Sequence, residues 1–328
     1  MKGRRVLGKA RRPRRSEASV IGQRLGPIAD LDAWARRAKE RIAGRPVVVS
    51  VSGGKDSTAM GLVLKEAGIS FRAVHFDTGW EHPATEEYVK TTLPEALGVE
   101  VEVLRGRYKG MVDLIRRRGI FPGARRRFCT EELKLFPAKK LFNSYTECEP
   151  VSAVGIRSAE SEARSKYTEW EDSTFLNCEV WRPLLSWTEG DVIALHRHFG
   201  VKPNPLYLMG ARRVGCWPCV YARKEELRLI GEIDPGRIDL VRTLEGEVTK
   251  TVEGKRGPIS QPVTMFKRRT KEGFASFPID DVMEWAKTSR GGRQFQLFPP
   301  DGAAEGCMRW GMCESHAKKD DKGWEREA

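Results

Sequence analysis

The chain has 328 residues and a formal net charge of +13, with 58 lysine and arginine residues against 45 acidic ones. This length suits one main domain with a smaller appended one. No apolar run is long enough to span a membrane, and no apolar segment follows the basic N-terminus as in a secretory signal. These features exclude a membrane protein and a secreted one, so we expect a cytoplasmic protein.

The excess of positive charge is concentrated at the N-terminus, where residues 1–26 contain nine lysines and arginines and a single acid, Glu17. A basic, proline-containing segment with few apolar residues is typical of a disordered tail. Such a tail can bind nucleic acid by neutralising its phosphates, although a solvated arm that only aids solubility has the same composition. We predict a tail over residues 1–28 and leave both roles open. Two further basic triplets, residues 125–127 and 267–269, could serve a small anionic substrate as well as a polynucleotide.

The spacing of apolar residues predicts helices that alternate with strands along most of the chain. The predicted helices are 31–42, 57–67, 84–97, 111–118 and 188–199, and the predicted strands begin at residue 47 and continue with 71–76, 99–104, 150–156 and 179–183. This alternation is typical of an α/β fold with a doubly wound, mainly parallel sheet. Beyond Gly200 the chain is rich in Pro, Gly, Cys and Trp, which predicts a smaller cysteine-rich extension over residues 206–328.

The first predicted strand continues directly into a glycine turn, Ser-Gly-Gly-Lys-Asp-Ser at residues 52–57. Gly53 and Gly54 allow the backbone to approach an anion closely, and the first amides and the dipole of the following helix favour its charge. The candidate phosphate-binding residues are Ser52, Gly53, Gly54, Lys55, Asp56 and Ser57. A Walker-type P-loop is excluded because Val49 stands where its first glycine is required and Asp56 follows the lysine.

Polar residues also follow two other predicted strands. The candidates are Asp77 and Thr78 after strand 71–76, and Gly155, Arg157 and Arg164 after strand 150–156. Because ligands of open parallel sheets lie outside the carboxyl ends of the strands, we expect these residues beside the glycine turn. Arg157 and Arg164 could bind phosphate or sulfate through their guanidinium groups, with Glu160 orienting them. A salt-bridge network among these three residues is the alternative.

Seven cysteines, an odd number, point to metal or thiol chemistry rather than to disulfides in a cytoplasmic protein. Cys216-Trp217-Pro218-Cys219 has the spacing with which two thiolates bind one metal, although such a pair can also be a redox dithiol. Cys307 and Cys313 would complete a set of four, which can hold zinc or a [4Fe-4S] cluster equally well. We expect Cys148 and Cys178 to be buried as small hydrophobic residues.

The five histidines show no spacing of a zinc hydrolase, and no motif supports a Ser/His/Asp hydrolase. His75 lies on a predicted strand, where we expect it to be packed. His196 and His198 lie on the helix predicted at 188–199, where we expect ordinary surface or core roles.

The glycine turn and the segments after it resemble the phosphoadenylyl-sulfate (PAPS) reductase family, within the adenine-nucleotide α-hydrolase-like (PP-loop) superfamily. The matching segments, in the order of the family, are residues 52–57, 125–137, 155–161, 182–184 and 204–207. The resemblance covers roughly residues 47–219. It implies a PP-loop nucleotide-binding domain, which we place at residues 29–205. It also implies an adenine nucleotide as ligand, either ATP or a sulfonucleotide (PAPS or adenylyl sulfate, APS), with Mg²⁺ as a further possible ion.

The resemblance also bears on the cysteines. Adenylyl-sulfate reductases carry two adjacent cysteines on an iron–sulfur cluster within the segment that matches 125–137, whereas here Cys129 is followed by Thr130. It implies a [4Fe-4S] cluster, with zinc as the alternative, on the metal ligands Cys216, Cys219, Cys307 and Cys313. Cys129 is then either a further ligand or a working thiol.

Two chemistries are compatible with this resemblance. In the first, a thiolate from Cys129 or Cys313 attacks the sulfur of a sulfonucleotide, and a thioredoxin-like or small thiol later releases sulfite. Reductases of the family use a C-terminal Glu-Cys-Gly-Leu-His motif, which is absent here; its nearest counterpart is residues 313–316, Cys-Glu-Ser-His. In this segment the chain departs from the pattern of those reductases.

In the second chemistry, a substrate oxygen attacks the α-phosphate of ATP, and sulfur from a donor such as a cysteine desulfurase replaces the activated group on tRNA or DNA. In both cases Lys55 and the loop amides would stabilise the developing charge, with Asp56 as a second catalytic residue. A third hypothesis is a nucleic-acid-binding protein in which the loop no longer supports turnover.

Overall fold

The computed structural model describes residues 25–254, 257–288 and 310. Most of the predicted N-terminal tail, together with Cys307 and Cys313, therefore lies outside the described residues. Leu25 and Ile28, which the prediction included in the tail, are buried and pack against the main core.

A six-stranded sheet forms the centre of the molecule. Its strands are β1 (Val47–Ser50), β2 (Arg72–Phe76), β3 (Val101–Leu104), β4 (Val151–Val154), β5 (Trp170–Ser173) and β6 (Cys178–Trp181). The order across the sheet is β3-β2-β1-β4-β6-β5, and every pair is parallel except β5 with β6. Val48 lies opposite Arg72 on one side, and Val47 lies opposite Val151 on the other. The predicted doubly wound, mainly parallel sheet is confirmed.

Helices connect the strands and continue beyond the sheet. They are α1 (Leu31–Ile42), α2 (Lys55–Glu66), α3 (Pro83–Lys90), α4 (Thr92–Leu97), α5 (Met111–Arg118), α6 (Phe128–Thr130), α7 (Phe136–Phe142), α8 (Glu162–Ser165), α9 (Glu189–His198), α10 (Pro205–Leu208), α11 (Lys224–Ile233), α12 (Pro235–Glu247) and α13 (Ile279–Lys287). A short 3₁₀ turn, Ser158–Glu160, precedes α8. In the described ranges, no helix has both the length and the apolar character needed to cross a lipid bilayer.

A proline explains one departure from the predicted helices, and a second proline follows an irregular helical segment. The helix predicted at 84–97 is divided into α3 and α4, because Pro94 has no N–H to donate to the carbonyl of Lys90 in a continuous helix. Between α6 and α7 the chain forms a π-helical segment, Glu131–Leu135, immediately before Pro137. Segments of this kind often occur at functional sites.

Two apolar cores stabilise the fold. The first lies between the sheet and the helices around it, and includes Val49 of β1 and Leu62 of α2. The second joins α5 to α11, α12 and α13 around Trp80, Leu114 and Val241, all fully buried. Two antiparallel hairpins extend this C-terminal half: β7 (Thr249–Gly254) with β8 (Gly257–Pro262), and β9 (Phe266–Thr270) with β10 (Gly273–Phe277).

The two cysteines expected in the interior differ. Cys178 is buried in β6, as expected, and burial raises the pKa of its thiol to about 12. Cys148 is exposed, so that expectation was wrong. It lies in the connection between α7 and β4, where most of the neighbouring residues are also exposed.

Candidate functional site

The glycine turn lies where the order of the sheet reverses. The chain proceeds from β1 outward to β2 and β3, and then returns to place β4 on the other side of β1. Residues 51–54 follow β1, and Gly155 follows β4, so both connections leave the carboxyl edge of the sheet at this switch point. Open α/β sheets bind their ligands in the crevice that forms there.

Side-chain hydroxyls hold the turn in shape from within. The amide of Ser52 donates to Ser57 Oγ at 3.1 Å, and the two serine hydroxyls are 3.2 Å apart. Ser57 and Thr58 both donate their hydroxyls to the carbonyl of Gly54, each at 3.1 Å. Gly53 has a positive φ of 73°, and a Cβ there would lie 2.9 Å from Thr85 Cγ2, so this position requires glycine. We call residues 52–57 the cradle.

The cradle presents backbone N–H groups without acceptors. The amide of Lys55 donates to the Tyr207 hydroxyl at 3.0 Å. The amides of Gly53, Gly54, Asp56 and Ser57 donate no hydrogen bond to any of the described residues. Because α2 begins at Lys55, these amides lie at the positive end of a twelve-residue helix, where the electrostatic potential favours negative charge.

Lys55 is the buried cation of the cradle, with 5% of its surface exposed. Its ammonium lies 3.2 Å from Glu189 Oε1 and 3.5 Å from Asp56 Oδ2, and it donates to the carbonyl of Arg212 at 3.3 Å. It also lies 5.2 Å from the centre of the Tyr207 ring. The lysine is thus held in place by residues from three separate segments.

Asp56 and Arg157 link the two connections that leave the switch point. Arg157 Nε donates to Asp56 Oδ1, and the Arg157 side chain is buried. The amide of Arg157 donates to Glu160, which also pairs with Arg164. Arg164 therefore reaches the cradle through Glu160 and Arg157 and makes no described contact with the cradle itself. Of the alternative salt-bridge network, the ion pair between Arg164 and Glu160 is present, whereas the guanidinium of Arg157 pairs with Asp56 and not with Glu160.

Gly155 allows this close approach of the two connections. A Cβ at Gly155 would lie 2.8 Å from the carbonyl oxygen of Asp56 and 2.9 Å from Ser57 Cα. Both contacts are with backbone atoms, which cannot rotate away. Only glycine fits here without displacing the start of α2.

The turn after β2 forms a second wall of the crevice. Asp77 accepts from the Gly79 amide at 2.7 Å and from Arg105 Nε at 2.7 Å. Burial raises the pKa of Asp77, but these two donors outweigh it and hold the pKa below its ordinary value. Thr78 donates its hydroxyl to Glu81 Oε1 at 2.7 Å, and Glu81, which is buried, accepts two backbone amides as well.

Reciprocal hydrogen bonds connect this turn to the cysteine pair. The amide of Trp217 donates to the carbonyl of Trp80 at 2.9 Å, and Trp80 Nε1 donates to the carbonyl of Pro218 at 2.8 Å. Residues 216–219 therefore lie against the carboxyl edge of the sheet. The spacing of the two cysteines did not predict this position.

Two distant segments bring cysteines near one another beside this turn, Cys129 in one and Cys216 with Cys219 in the other. Cys129 and Cys216 pack on the same apolar cluster, and the ionisation of Cys216 is influenced by Cys129 and Cys219. Burial raises the pKa of the Cys216 thiol, whereas the neighbouring Lys134 lowers it. Within residues 25–254, 257–288 and 310, no three His, Cys, Asp or Glu side chains are arranged to hold a metal ion.

Three further residues that contact the cradle had no predicted role there. Asn204 donates to the carbonyl of Gly53 at 3.2 Å, and Tyr207 binds the amide of Lys55 as described above. His196 Nε2 lies 2.9 Å from the carbonyl of Lys55, so this nitrogen carries the proton. Asn204 and Tyr207 belong to a segment that resembles the family, which was a usable signal. No sequence signal identified His196, because the sequence of a helix does not show whether a single histidine is buried or exposed.

Comparisons with known proteins agree with this architecture. Residues 46–222 match the phosphoadenosine phosphosulfate reductase domain family. The chain is 30% identical to an uncharacterized 37.8 kDa protein of Escherichia phage 186, over 81% of this chain and 96% of that protein. It is 31% identical to an uncharacterized protein of Methanocaldococcus jannaschii over 57% of this chain, but spans only 38% of that protein.

Among solved structures, the phosphoadenylyl-sulfate (PAPS) reductase from Candida auris, in a phosphate complex, superposes with a TM-score of 0.44 and 14% identity. The superposition covers 57% of this chain and 94% of that one. Because the family match covers more than half of its residues, the chain belongs to the phosphoadenosine phosphosulfate reductase domain family, within the PP-loop superfamily.

Proposed function

We propose that the protein binds an adenine nucleotide, with the phosphate or sulfate end over the cradle, and uses it in sulfur chemistry. The observation that supports this most directly is the set of four amides at residues 53, 54, 56 and 57 without acceptors among the described residues. They surround the N-terminus of α2, which also carries the buried cation of Lys55. An anion with several oxygens satisfies all of these donors at once.

The cradle would act mainly by stabilising charge. Its amides are fixed before the ligand arrives, so little reorganisation is needed as negative charge grows on the leaving group. Lys55 would add a cation, and Asp56, tied to Arg157, would hold the first turn of α2 in position. Asp77 and Thr78 would line the opposite wall of the crevice, where the rest of the nucleotide would bind.

In a sulfonucleotide reaction, a thiolate would form a bond to the sulfur while the bond from sulfur to the phosphate oxygen breaks. The adenosine phosphate leaves with that electron pair. A thiol donor, either a thioredoxin-like protein or a small thiol, then attacks the cysteine sulfur of the resulting thiosulfonate and releases sulfite. The donor is oxidised to a disulfide in the process. The nucleophile would be Cys129 or Cys313.

An observation on Cys129 counts against this thiol, in the absence of a bound metal, as the nucleophile of the first route. Burial raises the pKa of this thiol, although Thr130 and Arg127 oppose the effect, and Cys219 lies near it. A raised pKa lowers the thiolate fraction available for attack on sulfur. In the ATP-dependent alternative, an oxygen of tRNA or DNA attacks the α-phosphate of ATP, pyrophosphate leaves, and a sulfur donor such as a cysteine desulfurase displaces AMP.

We further propose a [4Fe-4S] cluster, or zinc in its place, on Cys216, Cys219, Cys307 and Cys313, with Cys129 as a further donor. Thiolates are suitable ligands for both, and a bound cation would oppose the burial that raises the pKa of Cys129 and Cys216. Because no described trio is arranged to hold a metal, the site depends on donors outside the described residues. A bound cluster would supply electron transfer or a labile sulfur site.

Metal content tests this part directly. Protein purified without oxygen should contain stoichiometric iron or zinc, and Cys216→Ser with Cys219→Ser should lose it. Cys148→Ser, which changes an exposed cysteine, is the matched control and should retain the metal. Equal metal content in the two variants would remove residues 216 and 219 from the site.

The remaining proposed partners follow from the reaction. The donor would be a thioredoxin-like protein in the reductase route or a cysteine desulfurase in the ATP route, both found in the cytoplasm. The basic tail, residues 1–28, would bring nucleic acid to the protein by charge.

Product analysis decides between the routes. Anaerobic protein should release sulfite from adenylyl sulfate or PAPS with a reduced thiol, or pyrophosphate from ATP with a nucleic-acid acceptor. Sulfite would establish the reductase route, and pyrophosphate the ATP route. If metal-loaded protein neither binds nor converts any of the three nucleotides, the proposed function is wrong.

A further inference from the structure

Two basic triplets that are about 140 residues apart in the sequence meet at one aromatic side chain. Arg125 lies with its guanidinium 5.4 Å from the centre of the Phe274 ring. Phe274 stands directly opposite Arg269 in the β9–β10 hairpin. Phe274 remains 60% exposed despite these neighbours. The triplets 125–127 and 267–269 thus form one continuous surface.

The register of the hairpin separates an outer side from an inner side. Directly opposed residues share a side, and successive residues alternate. Lys267, Arg269, Phe274 and Ser276 therefore share one side, and all four are exposed. On the other side, Phe277 packs 6.1 Å from Trp285 of α13 and faces the body of the protein. We call Arg125, Lys267, Arg269 and Phe274 the basic face.

Hydrogen bonds fix both parts of this surface, one from a buried carboxylate and one from an exposed tyrosine. The buried carboxylate of Glu245 accepts the amides of Met265 and Ile279, at 3.0 and 2.9 Å, which lie just before and just after the hairpin. On the other part, Tyr221 donates its hydroxyl to the carbonyl of Ala124 at 2.8 Å. The basic face is therefore held in a defined arrangement before any partner binds, which reduces the entropy lost on binding.

The cations of the basic face differ from most other arginines of the molecule. Arg41, Arg116 and Arg242, for example, each pair with a carboxylate. Within the described residues, no ion pair involves residues 125–127 or 267–269. Their charge is not neutralised within the described part of the chain, so it is available for the anionic groups of a partner.

We propose that the basic face binds a single-stranded polynucleotide. Lysine and arginine side chains neutralise backbone phosphates, and an exposed aromatic ring between them can stack on an unpaired base. A duplex would use the cations but not Phe274, because its bases are already stacked. An acidic protein would likewise have no need of the ring.

The position of the basic face is suitable for an acceptor substrate. Arg127, at the end of one triplet, lies over the Tyr221 ring at 5.4 Å and influences the ionisation of Cys129. Tyr221 lies two residues after Cys219. A strand bound on the basic face that continued along Arg127 would reach Tyr221, close in the sequence to Cys219. This acceptor role rests on the proposed function, whereas binding itself does not.

The test is fluorescence anisotropy with the full chain, without nucleotide, and with labelled oligothymidylate and oligouridylate. Phe274→Ala should weaken binding about tenfold and leave the salt dependence unchanged, because stacking carries no charge. Lys267→Ala with Arg269→Ala should reduce the slope of log affinity against log salt by about 1.4, which corresponds to about 0.7 per phosphate contact. The two oligonucleotides distinguish RNA from DNA.

Matched controls distinguish binding at the basic face from non-specific attraction to the overall positive charge of the protein. Phe175→Ala removes another exposed aromatic ring that has a cation near it, Lys139 at 4.8 Å, and should bind as the wild type does. Arg36→Ala with Arg37→Ala removes two exposed cations from α1 and should leave most of the slope intact.

Three results would overturn the proposal: equal affinity of Phe274→Ala and Phe175→Ala, a preference for duplex that Phe274→Ala does not alter, or equal competition by polyglutamate. A tail that accounts for all binding would give the first result. Because no turnover is measured, failure here is distinct from failure of the proposed reaction.

Discussion

The cradle and the basic face both carry cations that we propose bind an anionic partner. In the cradle these cations are paired with carboxylates, whereas on the basic face they pair with none of the described carboxylates. In the cradle, Lys55 lies between Asp56 and Glu189, and Arg157 pairs with Asp56. On the basic face, no described carboxylate pairs with Arg125, Lys267 or Arg269. One region is buried and electrically balanced, and the other is exposed and unbalanced.

This difference separates two kinds of binding site. A balanced, buried site is preorganised, so the same contacts that bind the ligand also support the fold. An unbalanced surface acts by attraction over a distance and depends on salt, and its side chains contribute little to stability. Substitutions in the cradle should therefore affect stability and activity together, and those on the basic face should affect binding alone.

The largest expected effect is that of Lys55→Ala on turnover. We expect at least a hundredfold loss of nucleotide turnover, since a buried cation beside the leaving group is removed. The protein should still fold, with reduced stability, because Asp56 keeps its contact with Arg157. Lys65→Ala, an exposed lysine on the same helix, is the control and should retain turnover. Full turnover in Lys55→Ala would remove the lysine from the mechanism.

Gly155→Ala should show that the geometry of the cradle depends on its backbone. The new Cβ meets the backbone of Asp56 and Ser57 below 3 Å, so we expect about 1–3 kcal/mol of destabilisation and weaker nucleotide binding. Denaturant unfolding and calorimetry would measure the two effects. Gly246→Ala in α12, where a Cβ meets nothing within 4 Å, should be neutral or slightly stabilising. Equal stability of the two variants would contradict the close approach.

Glu245→Ala tests whether the hairpin is held from beneath. Two buried amides would lose their acceptor, at a cost of about 1–3 kcal/mol in unfolding free energy. Polynucleotide binding should weaken with it, while adenine-nucleotide binding should not. The exposed Glu247→Ala on the same helix, which loses a surface pair with Arg116, should cost less than about 1 kcal/mol. If adenine-nucleotide binding weakened equally, the two sites would not be independent.

The smallest expected effect is the contribution of His196 to the pH dependence of the unfolding free energy. Burial lowers the pKa of this residue below 6.5, and its Nδ1 has no hydrogen-bond partner among the described residues. Below pH 6.5 the unfolded chain takes up a proton that the folded one resists, so stability contributed above this pH is lost on acidification. The stability difference between wild type and His196→Gln should narrow, by up to about 1.4 kcal/mol per pKa unit, between about pH 7.5 and 5.5. A difference that stays constant would contradict the lowered pKa.

Local patterns predicted the sheet and the cradle well. The buried valines of β1, the two glycines and the start of α2 are adjacent in the sequence, so their geometry follows from neighbours alone. The helices at Met111–Arg118 and Glu189–His198 were predicted for the same reason. Asp77 and Gly155 were predicted near the cradle because parallel topology brings strand ends together.

Features that depend on distant contacts were not predicted. Strand β5 has largely exposed, polar residues and forms only because β6 offers an antiparallel edge. Glu81 lies in the crevice because the turn after β2 brings it to the hydroxyl of Thr78. No sequence spacing predicts the shape of this turn. The basic face required two triplets to meet, and nothing in either triplet indicates the other.

The hydrogen bonds of Glu245 have a consequence for how such a protein can change over evolutionary time. The backbone amides at the two ends of the β9–β10 hairpin, those of Met265 and Ile279, donate to the two oxygens of the Glu245 carboxylate. The hairpin is therefore attached to the rest of the protein at one place. A different hairpin with the same two ends could replace it without disturbing the sheet or the crevice. The hairpin is therefore an exchangeable module. Changes in its sequence can alter which partner the protein binds, while the nucleotide chemistry stays constant.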